Sequence, residues 1–326
     1  MSQYLVVHPR FDLWWSFAAD HVGALWQQEV HRLAPDDTRP LGEVVPNPGD
    51  FRQLISLGVP VTPGCRAKFP QLQRAVFSSA KEAELFGAVG RYPLTEAFWG
   101  QSVAEYALGL TLAGLRRIPQ THGAIVRDLK EWDYRPPGGV GRPGQRSGQF
   151  GDDARFTNGT VAGKRVRICG LGNIGSRYAT WTKMLGADVA AWDPVVPAEA
   201  FAQTGARRVA SLAELVRDAE IFAPMMPLRD ATRGIVTADL VRSLPAGGLV
   251  VLVTRAEICD MPTLRARVLA DELSLAADVF DVEPLPLTDP LLGRANVVHT
   301  PHNAGRTIHA NHRYAETLFE LLNPEK

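Results

Sequence analysis

Three residues suited to acid–base chemistry on a small acid each follow an apolar run in the second half of the chain. Arg255 comes just after 248–253, Glu283 after 275–280 and His302 after 296–299. Thr254 and Asp278 lie in or beside the same runs. An arginine grips a carboxylate with two parallel N–H donors. A histidine exchanges a proton with an oxygen near neutral pH, and a neighbouring carboxylate orients its ring. Together the three could serve hydride transfer at a carbonyl carbon. Each also has an ordinary reading: Arg255 in a surface salt bridge, Glu283 capping the turn before Pro284, His302 bonded to backbone. Their shared placement after strands, downstream of a glycine turn, favours a site.

That turn is the element the others depend on. The short apolar run 166–169 meets Gly170-Leu171-Gly172-Asn173-Ile174-Gly175, and an amphipathic stretch, 176–185, follows. Gly170 permits the tight turn, Gly172 lets a pyrophosphate approach the backbone, and Gly175 lets a helix sit close on the strand. Phosphates would then cap the positive end of that helix. A second strand, 188–192, ends at Asp193, where an acid can bond a ribose hydroxyl. The order strand, turn, helix, strand, acid makes this more than a stray glycine loop.

Past Asp193, helical and strand patterns alternate. Helices are predicted at 212–217, 237–243 and 263–271, and strands at 220–224, 248–253, 275–280 and 296–299. Strands this apolar between helices predict a parallel sheet covered on both faces. Earlier, 5–7 reads as a buried strand, 13–33 as one long helix, 39–70 as short strands joined by tight turns, and 72–77 as a strand. Ser78-Ser79-Ala80-Lys81 opens a loop or helix. The stretch 102–115 is helical, with Ser102 and Glu105 in capping-box spacing. The segment 135–160 is crowded with Gly, Pro and Arg and predicts loop, arm or partial disorder. A closing helix, 307–322, is expected to return to the first domain.

At 326 residues two domains are the natural expectation. The fold class is α/β, with two Rossmann-like domains built on doubly wound parallel sheets. Residues 1–100 and 303–326 are expected to form a substrate domain and 101–302 an inserted dinucleotide-binding domain. Lys plus Arg equals Asp plus Glu at 35 each, which points to neither nucleic acid nor an anionic membrane. Cys65, Cys169 and Cys259 lie far apart, so no disulfide framework or zinc spacing is read and no metal is expected. No signal peptide or spanning run is visible, which makes the cytoplasm the expected location.

The chain resembles the D-isomer-specific 2-hydroxyacid dehydrogenase family. The carrying residues are Val103-Ala104-Glu105, Gly170 to Gly175, Pro227-Leu228 with Thr232, Thr254-Arg255, Asp278-Val279 with Glu283-Pro284, and Thr300-Pro301-His302 with Ala304-Gly305. They cover 102–307, and 1–100 matches by topology. The resemblance implies an NAD domain inserted into a substrate domain, an active site in the cleft between them, and a homodimer formed through the NAD domain. It implies NAD as cofactor and a small 2-hydroxy or 2-keto acid as substrate. Arg255 would bind the substrate, His302 would be the acid/base and Glu283 its partner. Asn173 and Ile174 would offer backbone to the pyrophosphate and Asp193 would take the adenosine ribose. Pro227, Thr232, Val253 and Thr254 would line the cofactor site, and Asp278 would hold the nicotinamide carboxamide.

There are departures from the family pattern. Leu252-Val253-Thr254-Arg255-Ala256 replaces the family's Asn, small pair and Arg-Gly, and Met225 stands where a His is common. Ser79, Ala80 and Lys81 occupy the place of the glycine-rich loop that clamps a substrate carboxylate. Formate is disfavoured, because members acting on formate carry Gln where Glu283 stands. The alternative is an NAD(H)-sensing, corepressor-like binding protein with the same fold and little turnover. For 135–160, the family implies a place near the dimer interface; Arg135, Arg142, Arg146 and Arg155 would there bring positive charge toward an anionic substrate, and the alternative is a solvated loop with no role.

Overall fold

A computed structural model describes residues 2–93, 98–127, 132 and 151–324. The chain divides into two compact units, Met1–Trp99 with Arg306–Lys326, and Gly100–Gly305. Each carries a parallel sheet.

In the first unit the strands are β1 (Gln3–Val7), β2 (Val30–Arg32), β3 (Gln53–Leu57), β4 (Arg74–Phe77) and β5 (Gly90–Arg91), in the order β2-β1-β3-β4-β5. Leu5, Val7, Ile55, Leu57 and Val76 bury one face of the sheet against the helices Ala18–Trp26 and Ile308–Leu322. Val6, Leu54, Ala75 and Phe77 bury the other. This is the period-two alternation of a sheet with two covered faces. The helix Ile308–Leu322 starts where Thr307 Oγ1 accepts from Ala310 N at 3.0 Å, and its Tyr314 ring stacks on Trp15 with centroids 4.1 Å apart.

Three local expectations fail here. The long helix at 13–33 is only Ala18–Trp26: Gln27 turns left-handed with φ 56°, and Val30–Arg32 leaves to pair with β1. The β-branched Val30 gains more from a parallel ladder than from another helical turn. The segment 39–70 contains one strand, β3; the rest is a short helix, Leu41–Val44, and the 3-10 turns Pro48–Asp50 and Cys65–Lys68. Ser102 lies inside the helix Trp99–Arg116 rather than at its start.

The second unit holds β6 (Arg165–Cys169), β7 (Asp188–Trp192), β8 (Arg207–Arg208), β9 (Ile221–Pro224), β10 (Leu249–Leu252), β11 (Ser274–Ala277) and β12 (Val297–His299), in the order β12-β11-β10-β9-β6-β7-β8. The order reverses beside β6, so the crevice for a ligand opens where β6 and β9 end. Every residue of β9, β10 and β11 is buried, as a doubly covered parallel sheet requires. The helix Trp99–Arg116 lies across this unit, and its buried Thr111 Oγ1 meets Tyr178 Oη at 2.8 Å.

The amino-terminal edge of this sheet is tied by charge. Arg167, 1% exposed, bonds Asp218 through Nε (2.7 Å) and Nη2 (2.6 Å) and reaches Asp188 Oδ2 at 3.0 Å. Burial works against its positive charge, but the two carboxylates outweigh it and hold the guanidinium above its ordinary pKa. At the same edge, Thr157 N donates to Gly247 O at 2.7 Å, Phe156 is buried, and Arg155 pairs with Asp153 and Asp271. Residues 151–160 therefore form a docked loop, while 133–150, the larger part of the Gly/Pro/Arg-rich segment, lie outside the described residues. Among the described residues, no helix is long and apolar enough to cross a membrane and no cluster of side chains could hold a metal ion.

Candidate active site

At the end of β6 the chain turns at Gly170, whose φ of +97° is a left-handed conformation that side chains disfavour. A Cβ on Gly170 would come within 2.6 Å of Met226 Cγ, and one on Gly175 within 2.0 Å of Gly170 O. At Gly172 a Cβ would meet nothing within 4 Å. Two glycines thus bring helix Asn173–Met184 tightly onto the strand, and the third leaves backbone facing open space at the helix start. This arrangement fits a pyrophosphate held by exposed N–H groups. Asn173 is exposed and Ile174 half-buried at the same start. Arg177 Nη1 donates to the Asn173 carbonyl at 2.7 Å.

Asp193 follows β7 and is nearly buried. Its Oδ2 accepts from Leu171 N at 2.8 Å, and its Oδ1 accepts from Val195 N and Val196 N at 2.8 and 3.1 Å. The acid therefore ties the glycine turn to the next strand, a structural role its spacing did not reveal. Past β9, Thr232 Oγ1 donates to Pro227 O at 2.6 Å and accepts from Arg229 N at 2.8 Å, closing the turn that Pro227 begins. Past β10, Val253 and Thr254 are buried, and Thr254 Oγ1 donates to Pro224 O at 3.2 Å. Arg255 comes next and is exposed, with Nη1 on the Thr254 carbonyl at 2.6 Å.

The histidine and its partner are brought together directly. His302 Nδ1 lies 2.6 Å from Glu283 Oε2, and Glu283 Oε1 accepts from Phe280 N at 2.8 Å. One oxygen of Glu283 is thus anchored to backbone while the other fixes the imidazole. Both side chains keep about a third of their surface exposed, so the pair faces solvent or a ligand. Asp278, fully buried, carries the loop around His302: Oδ1 accepts from Thr300 Oγ1 (2.6 Å) and Asn303 N (3.1 Å), and Oδ2 from Ala304 N (2.9 Å). Asp278 N donates to Leu252 O at 2.9 Å, which links this group to the strand before Arg255. His302, Glu283, Asp278, Arg255, Thr254, Pro227, Asp193 and the glycine turn all stand at the carboxyl ends of strands in one sheet.

The other singled-out residues lie elsewhere. Ser79, Ala80 and Lys81 belong to the first unit, where Ser79 Oγ caps helix Ala80–Glu84 by accepting from Glu82 N. Neighbouring Ser78 Oγ accepts from Gly58 N and donates to Glu82 Oε2, both at 3.0 Å. Arg155 sits at the amino-terminal edge of its own sheet, opposite His302, with its charge answered by Asp153 and Asp271. All three thiols are buried, and burial pushes Cys259 up to about 12. The three hydrogen bonds that Asp278 accepts from Thr300, Asn303 and Ala304 are not visible in the sequence. They arise from pairing of β11 with β12 across the sheet, and no local spacing encodes them.

The family model for the D-isomer specific 2-hydroxyacid dehydrogenase NAD binding domain matches residues 140–304. A D-3-phosphoglycerate dehydrogenase of Methanocaldococcus jannaschii is 30% identical over 222 residues, covering 68% of this chain and 38% of that protein. A hydroxypyruvate reductase of Thermotoga maritima is 28% identical over 227 residues, covering 69% of this chain and 66% of that protein. The chain thus spans well under half the length of the phosphoglycerate dehydrogenase it matches. Among solved structures, a D-isomer specific 2-hydroxyacid dehydrogenase from Xanthobacter autotrophicus Py2 superposes with a TM-score of 0.62 at 25% identity, covering 100% of this chain and 98% of that one. A D-2-hydroxyisocaproate dehydrogenase gives 0.71 at 18% identity, with coverage of 100% and 98%, and shows a shared fold.

Proposed function

The chain belongs to the D-isomer specific 2-hydroxyacid dehydrogenase family, and from that premise we propose that it interconverts a small 2-keto acid and its D-2-hydroxy acid with NAD(H). The observation that carries this reading is the His302–Glu283 pair at 2.6 Å, held at the carboxyl edge of an NAD-binding domain. With Nδ1 engaged by Glu283, Nε2 is the nitrogen that gives its proton to the keto oxygen in reduction and takes it back in oxidation. Arg255, the exposed cation one strand away, grips the substrate's carboxylate or keto oxygen with its planar fork. NADH, when bound, supplies the hydride that reaches the carbonyl carbon. Asn173 and Ile174 offer backbone N–H groups to its pyrophosphate and Asp193 accepts from its ribose hydroxyls. Pro227, Thr232, Val253 and Thr254 wall the nicotinamide side, and Asp278 reaches the carboxamide. Ser79, Ala80 and Lys81 contribute to substrate binding from the first unit, the substrate domain in this reading.

The names of the two relatives, a phosphoglycerate dehydrogenase and a hydroxypyruvate reductase, support a small 2-hydroxy or 2-keto acid. We place the protein in the cytoplasm, where its three unpaired thiols stay reduced, and as a homodimer formed through the NAD-binding domain. The test is His302→Ala. It should lower kcat by roughly a hundredfold or more on the best keto acid while leaving NADH affinity nearly unchanged. Full activity in that variant would remove the acid/base assignment.

A further inference from the structure

The loop carrying His302 has a conformation that needs a cause. His302 sits at φ +52°, in the left-handed region that residues with a Cβ enter at a cost. It holds that conformation in a stretch, 300–304, that is neither helix nor strand. Directly beneath is a carboxylate with no exposed surface, that of Asp278. Thr300 Oγ1 and Asn303 N both donate to its Oδ1, and Ala304 N donates to its Oδ2. The donors bracket His302 on both sides. Two of them are backbone N–H groups that can point only where the turn points them.

A buried carboxylate is costly unless it is hydrogen-bonded, and charge-assisted bonds are the strong ones. Here the carboxylate's need for donors and the loop's strained turn satisfy each other. Asp278 is in turn fixed to the sheet through its own N–H on Leu252 O and its place at the end of β11. Glu283 acts on the ring itself through Nδ1. Backbone and ring are thus held by two different acids.

We infer that Asp278 is a positioning residue: its carboxylate sets the 300–304 turn that aims the His302 imidazole at the substrate oxygen. This rests on the dehydrogenase reading for what His302 does and goes beyond it in assigning what holds His302 in place. It also separates two jobs for one residue, since a carboxylate that only held the cofactor would act on NADH affinity.

The informative variant is Asp278→Asn, which keeps the shape but turns one oxygen into an N–H donor facing the fixed N–H group of either Asn303 or Ala304. Three readouts follow. Hydrogen exchange at the Asn303 and Ala304 amides should quicken at least tenfold. On the best keto acid kcat should fall by roughly thirtyfold, a far larger factor than any loss of NADH affinity or rise in KM. In a His302→Ala background the same substitution should lower kcat by less than twofold, because an effect exerted through His302 vanishes with it. If Asp278→Asn does not fold, Thr300→Val and Thr300→Ser take its place: the first, which loses a donor, should lose about fivefold in kcat, and the second should keep wild-type activity. Unchanged amide exchange, an equal kcat loss in both backgrounds, or weakened NADH binding with kcat retained would overturn the inference. A wild-type protein that turns over no 2-keto acid would remove the dehydrogenase reading alone, and amide exchange would then decide the positioning role.

Discussion

Asp193 shows how one side chain can tie a turn to a strand. Its carboxylate accepts three backbone N–H bonds, from Leu171, Val195 and Val196, and so locks the glycine turn to β7. The same charge beside a ribose accepts from a 2′-hydroxyl and repels a 2′-phosphate, by on the order of a few kcal/mol at contact. NADH should therefore bind at least tenfold more tightly than NADPH in calorimetry; equal or tighter binding of NADPH would refute this. Because the residue also builds the turn, Asp193→Ala should weaken both cofactors rather than exchange one for the other. The placement of the glycine turn, Asp193, Glu283 and His302 beyond strand ends was legible because it is local: each sits a short, characteristic distance past an apolar run. The loop-holding role of Asp278 was not, since its partners lie more than twenty residues away along the chain.

Strands of the second sheet could be read from their uninterrupted apolar runs, which only a doubly covered sheet tolerates. Arg167 is the exception within β6. By composition it marks an exposed position, yet it is among the most buried side chains, because Asp188 and Asp218 meet it at the sheet's amino-terminal edge. The hydrogen bond from Arg167 holds Asp218 below the usual carboxylate range. A carboxylate whose folded pKa is depressed contributes stability above its unfolded value, and that contribution is lost as pH falls through the folded one. Asp218→Asn should cost about 2 kcal/mol at neutral pH. That is less than the ~3–5 of a fully buried pair, because Asp218 is half exposed to solvent and Asp188 remains. Melting curves should show the gap between variant and wild type narrowing as pH drops below ~4; a gap independent of pH would deny the pair its role. Elsewhere tertiary pairing overrode local pattern. Apolar spacing in 13–33 suited one helix, but the chain stops at Gln27 so that Val30–Arg32 can extend the first sheet.

The two compact units have separate cores. On the second unit, the helices Trp99–Arg116 and Ile118–Ile125 expose Leu112, Ile118 and Ile125, with Val126 just beyond. The homodimer proposed above would bury such side chains. The segment 135–160 follows it in the chain, and its far end is anchored by Arg155 and Thr157. Replacing 135–158 with a short Gly-Ser linker should lower the mass seen by light scattering toward that of a monomer and raise KM. An unchanged dimer with unchanged kinetics would remove any role for the segment. The most direct test of the whole account is the loss of NADH absorbance when the protein meets a panel of small 2-keto acids. Steady oxidation of NADH is expected with at least one of them, abolished by His302→Ala. Tight NADH binding with no turnover on any member of the panel would contradict it and leave a binding protein in its place.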